Sequence, residues 1–353
     1  MKESLFHNKV TWFSFLFSLL VIWVHSYNAE LYLGATAWME PVSQFEYLIG
    51  NGLAQIAVPG FFMISGYLFY RNFDRSKLWE KWNRRIRSVL VPYILWNFLY
   101  YLGYVIGSRL PWMRDVVGKG EIPFRLDIAV DAVINYTYNY VFWYLFQLIL
   151  LILMAPVLYP ILRRLWSRCV FFLVLGGILW RDIRIPFLNA DALLYYSVAA
   201  AFALTGSRAV EEPERYLEGT LKYLVGGGML VMALSAYQSG LEYVRPVGFV
   251  LCRLLAVTGL WVLIPAEKLP KARAFMQYNF FLYATHFGLV RFLNKSGAKL
   301  FSRMPDAPEV LHVGLPVALY LLMPALILVI SSAAAFVMRR LMPRTWNLLN
   351  GGR

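Results

Sequence analysis

The chain has 353 residues, of which 59% are hydrophobic and only 15% charged, a composition that excludes a soluble domain of this size and fits a multi-spanning membrane protein. Its formal charge of +14 does not point to nucleic acid, because the basic residues stand in short clusters between apolar runs, where they set membrane orientation. The two cysteines, Cys169 and Cys252, lie in or beside apolar runs and outside any CxxC pair, which excludes a cysteine-built metal site.

A helix needs about 20 apolar residues to cross a bilayer. In chain order ten segments are candidate spans: residues 10–28, 46–70, 89–108, 140–161, 169–181, 190–206, 220–238, 247–264, 279–294 and 314–338. The expected fold is all-α, a polytopic integral membrane protein of about ten transmembrane helices, forming one domain over residues 1–353 with no appended soluble part. Val10 to Tyr27 follows Lys2 and Lys9 as a signal peptide would, but the later spans make it a retained signal anchor. Sorting Lys and Arg by side places 22 with the termini and 10 opposite, so both termini and the basic segment 71–88 are expected in the cytoplasm. Residues 29–45, 109–139 and 295–313 then form the longest outward connections.

His25 closes the first apolar run. An ionisable group inside a bilayer is costly, so an intramembrane histidine is a functional candidate, and neutral imidazole can take a proton from a hydroxyl. The alternative is an interfacial histidine bonded to a neighbouring helix. Ser65-Gly66 lacks the GxSxG context of a nucleophile and reads as a small pair that lets helices approach. In the basic segment, Leu78, Trp82, Ile86 and Val89 recur at helical spacing beside a second stripe of Lys77, Lys81, Arg84 and Ser88. That pattern predicts a helix lying in the cytoplasmic interface, anchored by Trp82 and attracted to anionic membrane lipids.

Farther on, Trp143, Tyr144 and Leu145 open the fourth span, where aromatic residues act as belt anchors or stack on a sugar ring. His286 falls in mid-span and either serves the site directly or bonds helix to helix. Arg253 and Arg291, also inside apolar runs, either line a cavity or snorkel.

Five strings in this order resemble the membrane-bound acyltransferase-3 family: His25 in the first span; FFMISGYLFY with Arg84 to Arg87 as Arg-x-x-Arg and then Pro92-Tyr93; Trp143-Tyr144-Leu145 with Pro156; SVAAAFALTG; and YNFFLYATHFGLV with Tyr283 and His286. The resemblance implies an O-acyltransferase that takes an acyl group, chiefly acetyl, from acetyl-CoA or another acyl-CoA as co-substrate, with no metal. The acceptor it implies is a hydroxyl of a cell-surface or exported glycan or similar compound. It further implies His25 as catalytic base, Arg84, Arg85 and Arg87 on the donor phosphates, and Trp143, Tyr283, His286 and Arg291 around the substrate. The family carries Arg or Lys eleven positions before its histidine, where this chain has Ser14, and Lys9 falls on roughly the opposite helix face. A transporter or exporter, and a catalytically degenerate family member acting as a subunit, are the other readings.

Overall fold

The computed structural model describes residues 2–34, 41–238, 246–303 and 308–352. Parts of the outward connections 29–45 and 295–313, and Arg245 and Arg353 from the charge tally, lie outside them. The chain is all-helical, 84% helix, with no strand among the described residues. Four described helices are long and apolar enough to cross a membrane, Glu3–Leu33, Pro41–Tyr70, Arg75–Arg109 and Val313–Leu341, and a fifth if the bent pair Tyr140–Leu153 and Ala155–Arg163 is one span. The pair bends by 67° just before Pro156, which has no N–H to continue the helical ladder. Leu165–Trp180, Ala190–Thr205, Gly219–Ser235 and Val247–Leu263 are shorter apolar helices.

The chain divides into two compact units. The first comprises residues 1–17, 56–84 and 147–276. Its helices meet through small residues. A Cβ on Gly66 would stand 2.4 Å from the carbonyl oxygen of Tyr196, so only glycine lets the helix Ala57–Tyr70 come this close to the alanine-rich helix Ala190–Thr205. The strings FFMISG and SVAAAFALTG are thus two halves of one contact. Two basic residues near it hold the fold together. Lys81 donates to the carbonyls of Phe69 (2.5 Å) and Arg71 (2.9 Å), capping the end of Ala57–Tyr70 where backbone acceptors are left over. Arg71 grips Glu211 (2.7 Å) and Glu3 (2.6 Å), and Glu211 also accepts from the Tyr67 hydroxyl (2.7 Å).

The second unit comprises residues 18–55, 85–146 and 277–353. Ile22, Leu282, Val290, Met323 and Ile327 form a core joining the end of the first helix (Lys2–His25) to the helices Asn279–Phe301 and Glu309–Leu341. The expected outward connection 109–139 is a folded element. Its helices Pro111–Val117 and Leu126–Ile134 pack on Val91–Arg109, with Val117, Ile122, Ala129 and Ala132 clustered about Tyr101.

The basic segment is helical, as expected, and runs on without a break into the next apolar helix. Arg75 to Arg109 is one helical run of 35 residues, with a π turn over Ile86–Leu90. Pro92 cannot donate a hydrogen bond and its ring crowds the Ser88 carbonyl four residues back, a misfit that a wider turn accommodates. Trp82 donates its indole N–H to Ile152 (2.9 Å), so it is tied to the protein. At the other end of the chain, Gly351 takes φ +67° against the Ser88 backbone, where a Cβ would lie 2.7 Å from Ser88 Cα.

Candidate active site

The site grows from the last residue of the first helix. His25 is partly exposed, and its Nδ1 pairs with the Tyr140 hydroxyl at 2.8 Å. Its ring lies 5.3 Å from that of His286 and 6.0 Å from that of Phe287, centroid to centroid. Tyr140 stands edge-on to Phe287 at 4.6 Å, so the histidine pair has an aromatic wall.

His286 is 1% exposed, and its Nδ1 lies 2.5 Å from the carbonyl oxygen of Tyr283. A carbonyl can only accept, so neutral His286 carries its proton on Nδ1 and keeps a lone pair on Nε2. That Nε2 is buried with no hydrogen-bond partner among the described residues. Tyr283 is fixed in turn: its hydroxyl donates to the Val141 carbonyl (2.5 Å) and its ring stacks on Phe142 (5.5 Å). These contacts hold the short turn Tyr140–Phe142 that presents Tyr140 to His25. Asn139, just before that turn, is fully buried, and neither amide atom of its side chain has a partner among the described residues.

The chain leaving His25 is pinned by buried polar groups. Asn294 donates to the carbonyls of Ser26 (3.1 Å) and Tyr27 (3.2 Å). The Glu46 carboxylate accepts from the backbone N–H of Asn28 (3.1 Å) and Ala29 (3.2 Å), capping the short helix Ala29–Leu33. Asn28 donates to Pro316 (3.1 Å), and Tyr320 donates to the Glu46 carbonyl (3.0 Å). Glu46, Asn28 and Asn294 are each at most 3% exposed, so water does not compete for these bonds. They fix the direction in which the first helix ends, and with it the imidazole of His25.

A family model described as an acyltransferase domain (Acyl_transf_3) matches residues 10–340, nearly the whole chain and both units. The chain belongs to the acyltransferase-3 family. It is an all-helical membrane protein of an acyltransferase family. No curated protein and no solved structure matches it.

In this acyltransferase-3 member the residues expected at the site fall into three settings. His25, Tyr283 and His286 come together. Arg291 is bonded to the Tyr104 hydroxyl (3.1 Å) and the Val117 carbonyl (3.1 Å). Trp143 is half-buried, and its neighbours Phe142 and Tyr144 place rings against Tyr283, at 5.5 and 5.8 Å. Of the three basic-segment arginines, Arg84 ends the first unit, exposed and ion-paired with Glu80. Arg85, half-buried, and Arg87, exposed, begin the second unit. Ser14 is half-buried on the first helix, and the buried Lys9 ammonium is committed to the Trp261 carbonyl (2.7 Å) and ring (4.4 Å).

Sequence reading missed Tyr140, Glu46 and Asn294. Tyr140 has the composition of a belt anchor. Glu46 was the one signal to be had, a carboxylate at the edge of an apolar run, where an ionisable group needs a partner.

Proposed function

We propose that this protein is a membrane O-acyltransferase that moves an acyl group, in the first instance acetyl, from acyl-CoA to a hydroxyl of a cell-surface or exported glycan or similar acceptor. The observation that carries the reading is the His25 cluster: an imidazole held by Tyr140, beside a second histidine whose lone pair is buried and unspent. With Nδ1–H donated to the Tyr140 oxygen, His25 Nε2 takes the proton from the acceptor hydroxyl as its oxygen attacks the thioester carbonyl carbon. The tetrahedral intermediate collapses with loss of the C–S bond, and the imidazolium returns its proton to the departing thiolate. His286 Nε2 and the Asn139 amide are the spare polar groups for orienting the acceptor and the developing oxyanion. Arg84, Arg85 and Arg87 hold the donor phosphates, for which guanidinium forks are suited.

In the same reading the chain is one membrane domain of about ten spans in the cell membrane, with both termini and residues 71–88 in the cytoplasm. The test is reconstitution of the purified protein in vesicles, with labelled acetyl-CoA supplied from outside and a mixed glycan fraction. Label moving into the glycan is expected, and its absence over a broad set of acceptors would favour a transporter or a subunit.

A further inference from the structure

A cavity of about 340 Å³ opens in the second unit beside the helix that carries His286. Trp96, Tyr100, Tyr104 and Phe292 give it aromatic walls, and Arg291 supplies its charge. Arg291 falls in the expected span 279–294, and a charge in such a segment marks a ligand path or needs a counter-charge. Arg291 has none. Its bonds go to a phenol and a carbonyl, which leave guanidinium N–H groups over and cancel no charge.

Two more cations crowd the same place. Lys295 donates to the Val116 carbonyl (2.9 Å), and the Lys119 ammonium lies 5.6 Å over the Tyr104 ring, whose other neighbour is the Arg291 guanidinium at 5.8 Å. Of the carboxylates of that region, Asp115 is taken up by Lys299 (2.5 Å) and Glu121 by Arg109 (3.4 Å), while Asp131, on the Tyr138 side of Lys119, accepts from Asn135 (2.7 Å) and Thr137 (2.6 Å). Among the described residues no carboxylate pairs with Arg291, Lys295 or Lys119. A concentration of positive charge on an aromatic-walled cavity lacks one component, an anion brought by a ligand.

We propose that this cavity binds the anionic group, carboxylate or phosphate, of an acidic sugar or an amphiphile. Arg291 forks onto the anion, and the rings of Trp96, Tyr100 and Tyr104 flank the body that carries it. Joined to the proposed acyl transfer, on which this second step rests, the cavity selects acidic acceptors. An anionic lipid headgroup is the other source of the same chemistry.

The test is equilibrium binding, which needs no turnover. Labelled octyl glucuronide and octyl glucoside, which differ by one carboxylate, are titrated against the full chain in phosphatidylcholine nanodiscs. The glucuronide is expected to bind about tenfold tighter or more, the increment of a charge-assisted pair. Arg291→Gln should remove that preference and leave glucoside binding in place. Gly103→Leu supplies an independent check if Arg291→Gln does not fold. A Cβ there meets nothing within 4 Å, so the leucine fills the cavity and both ligands should be lost. Nanodiscs containing phosphatidylglycerol separate the sources: unchanged glucuronide binding assigns the site to acidic acceptors, and competitive loss assigns it to a headgroup. Equal affinity for the two glycosides, or a preference that survives Arg291→Gln, overturns the proposal. His25→Ala protein should bind both ligands as wild type does, so failure of the acyl-transfer reading and failure of this one are told apart.

Discussion

Two polar networks in this chain differ in one respect. Around Arg71, in the first unit, the chemistry is closed: the guanidinium meets Glu3 and Glu211, and Glu211 also takes the Tyr67 hydroxyl. Around His25, in the second unit, it is open: His286 Nε2 and both amide atoms of Asn139, the residue before Tyr140, are buried without partners among the described residues. Burying a polar group unpaired costs about 1–3 kcal/mol, so a network that keeps open groups gives up stability the closed one retains. The contrast teaches that the basic residues beside the FFMISG string are not all alike. Arg71 and Lys81 hold helices together, and the unspent hydrogen-bonding capacity lies beside the histidines, where the proposed chemistry is placed.

Mutations at the two networks should differ in what they cost. The largest effect is expected at His25. His25→Ala should lower kcat by about two to four orders of magnitude, the contribution of a general base, with the detergent unfolding midpoint little changed. Next is Glu46→Ala, which leaves the Asn28 and Ala29 N–H groups buried without an acceptor. It should cost about 1–3 kcal/mol in denaturant unfolding and lower kcat more than it raises KM, while Glu46→Gln, which keeps one acceptor oxygen, recovers part of both. Tyr140→Phe removes one hydrogen bond to His25 and keeps the ring on Phe287, so a loss of about tenfold in kcat is expected at unchanged expression.

The smallest effect concerns pH. The Lys299 ammonium bonded to Asp115 holds that carboxyl below its usual range. A depressed carboxylate pKa gives stability that is present above the unfolded-state value, about 3.9, and lost as pH falls through the folded one. Asp115→Asn should therefore narrow the gap between melting temperatures at pH 7 and below pH 4 slightly, since both side chains are exposed. An unchanged gap would remove Asp115 from the acid response.

Fold class was legible in the sequence because apolar runs separated by basic clusters have few solutions other than a helical membrane protein. The span count was less so. Every predicted segment is helical, yet several of the helices are short, and hydropathy registers apolarity without the length of the helix that carries it. The two histidines drew notice because an imidazole in an apolar run needs an account, and the structure sets their rings 5.3 Å apart. Tyr140 did not, since an outer-end tyrosine is ordinary and its partner lies 115 residues away. Within the aromatic string YVFWY composition cannot tell which rings turn to Tyr283, and the structure places Phe142 and Tyr144 against it. The arginines of the basic segment show that charge at a membrane edge is readable and its assignment is not, as Arg71 and Lys81 differ from Arg87 only in what the fold brings to them.

The measurement that bears most directly on this account compares His25→Ala with Arg71→Gln in one vesicle preparation, scoring label transfer from acetyl-CoA per folded molecule together with the unfolding midpoint. The account predicts a crossed result: His25→Ala keeps the midpoint and loses transfer, and Arg71→Gln loses midpoint and keeps transfer. Well-folded His25→Ala protein with wild-type transfer would contradict it.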